Sequence, residues 1–369
     1  MASRPASERR TILVTGGTGT LGAELVARLA GGSHASVVAL TRDAARPRPG
    51  TLPPDVQMVT GDLRCGSAFG LDPSDAATLR ARVTDIVHCA ADTTFNRPLA
   101  EARATNVAGT QGVLAFAKEC RHLQRMACFS TVYVAGRTTG CFAEQDVGGA
   151  DGFVNSYEQS KAEMEAVVRD AMRELPIALY RLSTIIGDSR TGEVTGPNAI
   201  HHALRLLYQG LAPMVPGRET GLVDLIPVDF AAEASHYLFA HEFSAGATYH
   251  LCAGASASAT LGALLDATMT AFERYRPAWR KRSIARPAIV ELETYELFVR
   301  SVEEAGNQVL LQATRAVQAF AYQLAYPKVF ENRHAGVVLA PAGIAAPNVL
   351  EYYDRVVRWC VEKNWGTAS

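Results

Sequence analysis

Seven short runs rich in β-branched residues are strung along the first two thirds of this chain, and helix-patterned segments separate most of them. The runs are TILVT (11–15), SVVAL (36–40), VQMVT (56–60), TDIVHCA (84–90), RMACFST (125–131), IALYRLST (177–184) and ATYHLC (247–252). Among them, LGAELVARLA (21–30), DAATLRARV (75–83), EARATNVAGTQGVLAFAKEC (101–120) and SYEQSKAEMEAVVRDAMREL (156–175) carry apolar residues at helical spacing. Strands that are apolar on both faces, alternating with helices, predict a parallel sheet covered on both sides. The fold class is therefore α/β, a doubly wound parallel sheet.

Beyond Gly187 the pattern loosens. GDSRTGEVTGPN (187–198) reads as a turn-rich loop, followed by a helix near 199–209. VDLIPVDFAAEASHYLFAHE (223–242) predicts a strand, a turn and a helix capped by Asp229. From about 259 the chain is mostly helical, including 307–326 and 348–365. The expected division is a dinucleotide-binding core over 10–189, completed by 222–252, with a smaller, mostly helical subdomain from 190–221 and 253–369. In open α/β sheets, ligands bind at the carboxyl edge of the strands, and the subdomain is expected to cover that edge.

Composition removes several functions. The 369 residues are 48% hydrophobic, ample for a large core. With 36 basic and 37 acidic residues and no basic stripe, neither nucleic acid nor an anionic membrane is an expected partner. The seven cysteines are odd in number and lack C-x-x-C spacing, which argues against a disulfide scaffold or structural zinc and for a reducing, cytoplasmic setting. MASRPASERR (1–10) is basic and polar without a signal-type apolar run, and no window of 18 unbroken apolar residues predicts a membrane helix.

VTGGTGTLG (14–22) closes the first strand and opens the first helix. Two registers fit: Gly17, Gly19, Gly22 as G-x-G-x-x-G, or Gly16, Gly19, Gly22 as G-x-x-G-x-x-G. Either lets the backbone turn sharply against a pyrophosphate, while the helix N-terminus supplies N–H groups and positive dipole. At the end of the second strand, Arg42 can accept a 2′-phosphate through paired donors, which favours NADPH. Asp43 behind it keeps NADH open. GDL (61–63) closes the third strand, and Asp62 is read either as an acceptor for the adenine amino group or as a turn-forming aspartate.

NSYEQSK (155–161) places Tyr157 and Lys161 four residues apart, on one helix face. A free tyrosine titrates near pH 10, and a neighbouring ammonium stabilises its phenolate. Bringing it toward neutrality takes about 3 pH units, roughly 4 kcal/mol. The phenol becomes an acid matched to the proton it transfers. Tyr-x-x-x-Lys alone is common. The order of a glycine cradle, then FSTVYVAG (129–136), then YEQSKAEMEAVV (157–168), then YRLSTIIGDSRTGE (180–193) is not.

That order resembles the extended short-chain dehydrogenase/reductase superfamily, and HCAADTTF (88–95), TNVAGTQGVLAFA (105–117), GDSRTG and LIPVDF (225–230) resemble its thioester reductase and fatty acyl-CoA reductase branch. The clear resemblance spans about 10–250. It implies a Rossmann sheet and NADPH-dependent reduction of an acyl thioester held by a carrier protein or coenzyme A, to an aldehyde and on to an alcohol if a second round occurs. It implies a triad of Thr131, Tyr157 and Lys161, with Asn106 holding the active-site helix and a relay water. Thr131 would donate to the substrate oxygen, and Lys161 would also bind the nicotinamide ribose. The cofactor would meet Gly16, Gly19, Thr20, Leu21, Gly22, Arg42, Asp62, Leu63, Ala90, Ala91, Tyr157, Lys161 and Ser183. Many members read YRP where this chain has Leu182 in YRL. No adenylation or carrier segment is recognisable in these residues, so the expectation is a reductase that receives its thioester from elsewhere. Oligomeric state stays open.

The same triad serves reductases of free ketones or aldehydes and nucleotide-sugar epimerases. A non-catalytic dinucleotide-binding protein would not need the triad. His201 and His202 lie in the expected lid helix and are read as ordinary histidines, with no ligand spacing for a metal. Cys89 is read as a small buried thiol. The helix at 307–326 is core by default, with an acyl tunnel or a dimer face as alternatives.

Overall fold

The computed structural model describes residues 10–32, 35–43 and 52–366; the polar N-terminal stretch up to residue 9 lies outside the described residues. In chain order the elements begin β1 (Arg10–Thr15), α1 (Thr20–Ala30), β2 (Ala35–Thr41), β3 (Gln57–Thr60), α2 (Pro73–Arg82), β4 (Asp85–His88), α3 (Leu99–Arg103), α4 (Gly109–Glu119) and β5 (Arg125–Thr131). There follow β6 (Gly140–Phe142), α5 (Ser156–Ala171), β7 (Ile177–Leu182), β8 (Thr184–Ile185), α6 (Ala199–Gln209), β9 (Met214–Pro216), β10 (Leu222–Val223), β11 (Leu225–Ile226), α7 (Val228–Ala240) and β12 (Thr248–Leu251). The remainder is α8 (Gly254–Ala257), β13 (Ala259–Thr260), α9 (Leu261–Tyr275), β14 (Ala288–Val290), α10 (Leu292–Glu304), α11 (Gln308–Leu324), β15 (Lys328–Phe330), α12 (Arg333–Leu339) and α13 (Val349–Glu362). These elements form two compact units: residues up to 131 with 160–181 and 232–249, and residues 132–159 with 182–231 and from 250 onward.

The first unit is built on a seven-stranded parallel sheet in the order β12-β7-β5-β4-β1-β2-β3, the doubly wound topology. Each of the seven apolar runs becomes one of its strands. β1 pairs with β2 from Arg10↔Ala35 to Thr15↔Leu40, and with β4 from Ile12↔Asp85 to Thr15↔His88. The strands are apolar on both faces because both faces are covered: Leu13, Val38, Ile86 and Met126 line one face, buried with Phe116, Val113 and Met164 from the helices, and Ile12, Val14, Val37, Ala39 and Val87 are buried on the other. α2 starts where Asp72 accepts from Ser74 N at 3.0 Å, with Pro73 at the first helical position.

Two expectations change. The predicted helix over 101–120 is α3 and α4 joined by one π-helical turn, Ala104–Ala108, which holds Asn106. Asp229 does not cap its own helix: α7 already begins at Val228, and the Asp229 carboxylate accepts from Ser189 N at 2.9 Å and Ser189 Oγ at 2.6 Å. A carboxylate in the first turn suits the helix dipole, and here it also ties down the 187–198 loop of the same unit.

The second unit is mostly helical, with small sheets. β6 pairs with β15, β9 with β14, β10 with β13 and β8 with β11. α13 packs on α9, and Tyr352 donates to Leu225 O at 3.1 Å. Among the described residues, no helix is long and apolar enough to cross a membrane.

Candidate active site

The glycine loop resolves its own register. Gly16 has φ +75°, and a Cβ there would lie 2.6 Å from Ala90 N. A Cβ on Gly22 would lie 2.1 Å from Gly16 O, so loop and helix touch backbone to backbone. Gly19 N donates to Gly16 O at 3.0 Å, and Gly19 is the residue before α1. The turn is therefore Gly16, Gly19, Gly22. A Cβ on Gly17 would instead meet the side chains of Val26 and Ala39, at 3.0 and 3.3 Å, tight but not backbone contacts.

Helix geometry leaves the first N–H groups of α1, at Thr20, Leu21 and Gly22, without intrahelical partners. No side chain caps them, and no acidic residue sits in the first turn. An open, uncapped N-terminus beside a loop without side chains fits the pyrophosphate of a dinucleotide. Ala90 and Ala91 follow β4 at the crossing with Gly16, where Ala90 N donates to Thr15 Oγ1 at 3.4 Å. Leu63 is buried against α4 near Gly109.

Arg42 follows β2 directly and is exposed, as is Asp43. Asp62 is held by a neighbour: Arg64 donates to it from Nε at 3.1 Å and from Nη2 at 2.6 Å, and its backbone N–H adds 2.9 Å. That guanidinium holds the Asp62 carboxyl below the usual carboxylate range, with Arg42 adding a smaller pull.

Lys161 is one of the buried charges of the first unit. Its Nζ donates to Phe129 O at 2.7 Å, two residues before Thr131 at the end of β5. Burial pushes it down to about 8, against the opposing pull of Glu165. An ammonium has three donors, so the Phe129 bond leaves donors for a ligand. Thr131 is buried as well. α5 carries Tyr157, half-buried, one turn ahead of Lys161.

Asn106 fastens α5 from the side. Its Nδ2 donates to Ser160 Oγ at 2.9 Å and to Asp92 O at 3.0 Å, and its Oδ1 accepts from Asp92 N at 2.8 Å. Its carbonyl accepts from Thr110 Oγ1, one turn on, at 2.7 Å. Thr110 has one hydroxyl proton, so it accepts from His88 Nε2 at 2.8 Å, and His88 Nδ1 accepts from Thr15 Oγ1 at 2.7 Å. The imidazole is neutral with its proton on Nε2. Burial, and then the Lys161 charge, push it down to about 3. The chain Thr15, His88, Thr110, Asn106, Ser160 thus runs from the glycine loop to the residue before Lys161. Sequence reasoning missed His88, Thr110 and Ser160.

In the second unit, Ser183 follows β7 and its Oγ donates to Asp224 O at 2.8 Å. β7 stays regular through Leu182 to its end, and Ser183 N donates to Leu251 O at 3.1 Å. Glu158, beside Tyr157, accepts from Val154 N at 2.9 Å and Asn155 Nδ2 at 3.0 Å. Burial raises its pKa, and the Lys328 charge pulls it back. Lys328, itself depressed by burial, donates to Gly136 O. The Glu158 bonds to Val154 N and Asn155 Nδ2 pin the first turn of α5. Tyr133 accepts from Thr184 Oγ1 at 3.0 Å, is raised chiefly by burial, and lies close enough to Tyr157 to feel its charge.

The remaining sequence candidates have structural duties. His201 Nδ1 accepts from Asn198 N at 3.1 Å and its Nε2 meets Ile186 O at 3.2 Å; burial pushes it down to about 4. Burial pushes the Cys89 thiol up to about 12, which leaves it a poor nucleophile.

Residues 14–235 match the Male sterility protein family of NAD-binding domains. A carboxylic acid reductase of Segniliparus rugosus is 31% identical over 274 residues, covering 63% of this chain and 23% of that protein. A linear gramicidin synthase from Brevibacillus parabrevis is 29% identical over 266 residues, covering 66% of this chain and 5% of that protein. The chain thus spans less than a quarter of the length of either relative. The terminal R domain from the myxalamid PKS-NRPS biosynthetic pathway superposes with a TM-score of 0.78 at 23% identity, over 98% of this chain and 93% of that one. With a family match over more than half its length, a doubly wound sheet and a dinucleotide cradle, the chain belongs to the Male sterility protein family and is an oxidoreductase of the extended short-chain dehydrogenase/reductase type, in the thioester reductase and fatty acyl-CoA reductase-like branch.

Proposed function

We propose that this protein is an NADPH-dependent reductase of acyl thioesters, releasing an aldehyde and, after a second round, an alcohol. The observation that carries the reading is the buried Lys161 ammonium, bonded to Phe129 O and one helical turn from Tyr157. Burying a cation costs stability, and such strained charges cluster at functional sites; here it supports a phenol. The relatives, a carboxylic acid reductase and a linear gramicidin synthase, suggest a thioester presented by a carrier protein.

When bound, the reduced nicotinamide supplies a hydride to the thioester carbonyl carbon. Tyr157 donates its proton to the carbonyl oxygen, and Thr131 donates a hydrogen bond there as charge builds. Lys161 stabilises the phenolate that results. The thiohemiacetal then breaks its C–S bond; its hydroxyl proton passes to the departing sulfur, leaving aldehyde and free thiol. Residues 190–221 and from 253 onward would shape the acyl site. The test is NADPH oxidation with acyl thioesters of coenzyme A and of a carrier protein, beside the matching free aldehydes and ketones, with product identification. Turnover of free carbonyls alone would replace this reading with a carbonyl reductase.

Two expected results follow from the charges. Arg42→Ala should reduce the ratio of NADPH to NADH affinity roughly 10- to 100-fold, the worth of charge-assisted bonds to a 2′-phosphate. An unchanged ratio in direct binding would shift the assignment to another cation. The Lys161 charge is present below about pH 8 and lost above it. kcat/KM for the dinucleotide, which reports the free enzyme, should therefore fall as pH rises through about 8. In Lys161→Arg the fall should move upward, because a guanidinium stays charged. A profile flat well past pH 8 in the unaltered enzyme would contradict this.

A further inference from the structure

A run of hydrogen bonds crosses the first unit beside the glycine loop, and counting protons fixes its direction. Asn106 O can only accept, so the single hydroxyl proton of Thr110 is committed to it at 2.7 Å. Thr110 Oγ1 must then accept from His88 Nε2, 2.8 Å away, which leaves His88 Nδ1 without a proton. That nitrogen takes the hydroxyl proton of Thr15 at 2.7 Å, and Thr15 Oγ1 in turn accepts from Ala90 N at 3.4 Å. Every donor from Ala90 N to Asn106 O therefore points the same way. Thr15, His88, Thr110, Asn106 and Ser160 are each at most 2% exposed. In so dry a setting the bonds of one network reinforce each other.

His88 is where two halves of this network meet. Thr15 precedes Gly16, whose left-handed backbone packs on Ala90 at the dinucleotide cradle. Thr15 and His88 are register partners on β1 and β4, so their side chains stand side by side on one face of the sheet. On the other side of the ring, Thr110 lies in α4 and Asn106 in the π turn before it, and Asn106 Nδ2 reaches Ser160, the residue before Lys161. Without the imidazole, Thr15 and Ala90 part from Thr110, Asn106 and Ser160. A second and longer tie exists: Asp92 bonds the Asn106 amide with its own N and O, but it reaches Ala90 only along the loop backbone. Burial and the Lys161 charge keep the ring uncharged, so it adds no repulsion to that ammonium.

We propose that His88 is a positioning residue: its imidazole ties the turn that receives the dinucleotide to the turn that fixes the helix of Lys161, so that filling the cradle and setting the ammonium are one cooperative event. Both ring nitrogens are spent on the network, so His88 acts through Thr15 on one side and through Thr110 and Asn106 on the other. The kinetic part of this rests on the reductase reading above; the binding part needs only the dinucleotide.

The test is a double-mutant cycle read by calorimetry, with the full chain and whichever of NADPH and NADH binds more tightly. Thr15→Val cuts the loop end and Ser160→Ala the helix end. Residues of one hydrogen-bond network are coupled, so the double variant should lose less affinity than the product of the two single losses, by roughly threefold or more. In His88→Leu the coupling should vanish and the two losses multiply. In His88→Gln it should return, because one amide carries both an acceptor and a donor. If His88→Leu does not fold by circular dichroism, Thr110→Val should erase the coupling and Thr110→Ser should keep it. Single-turnover hydride transfer to an acyl thioester, with both ligands saturating, should fall roughly tenfold or more in His88→Leu, or in Thr110→Val in its place, and recover in His88→Gln. Independent losses in the unaltered background overturn the proposal. So does coupling that survives in a folded His88→Leu or in Thr110→Val, which would run through Asp92. Failure of His88→Gln to restore the coupling, or unchanged hydride transfer in the broken network, overturns it as well. If no thioester is turned over although the dinucleotide binds, the reductase reading fails instead, and the binding cycle still decides the role of His88.

Discussion

Tyr157→Phe should lower kcat/KM for an acyl thioester about 10²- to 10⁴-fold, the usual contribution of a positioned general acid, while NADPH affinity barely moves. The substitution removes one oxygen from a half-buried ring in the first turn of α5. It leaves Lys161 on Phe129 O, the glycine turn and the Asn106 clamp untouched. Dinucleotide titration and circular dichroism would establish that the variant still binds and folds. Stopped-flow hydride transfer would then locate the loss in the chemical step. A rate within about tenfold of the unaltered enzyme would remove Tyr157 from the role of acid.

Glu165→Ala should cost about 3–5 kcal/mol of folding free energy, the usual effect of removing one partner of a buried ion pair. Arg181 on β7 is fully buried, and both of its bonds to Glu165, 2.9 Å from Nε and 2.7 Å from Nη2, would be lost. Arg169 adds a looser contact at 3.6 Å. Urea unfolding would read the loss as a lower midpoint at similar slope. Glu165 also supports the charge on Lys161, so the variant's pH limb should move below about 8. A loss under about 1 kcal/mol would mean that water or another carboxylate reaches Arg181.

How much of this was legible depends on the range over which each feature is encoded. The strands were legible because an unbroken β-branched run, such as SVVAL, predicts a doubly covered strand from local content alone. The glycine loop was legible as a cradle, but its register was not. Choosing Gly16 over Gly17 needs the backbone angle at 16 and the approach of Ala90. Asn106 stood out by its place in TNVAGT, yet its bond partner Ser160 lies 54 residues on, and nothing local announces a π turn. Asp229 was misread because two residues of offset at a helix start separate a cap from a first-turn acid, a difference within ordinary boundary error. β6 and β15, of three residues each, are too short for periodicity to register.

Lys161 is moored to a carbonyl of the main chain, not to another side chain. Whatever amino acid occupies position 129, that oxygen is still there. Mutational drift at 129 can alter packing, but it cannot delete the mooring. Only a slip of strand β5 along its neighbours could do that, and such a slip would turn every buried residue of the strand to the wrong face. The placement of this ammonium is therefore inherited with the sheet itself.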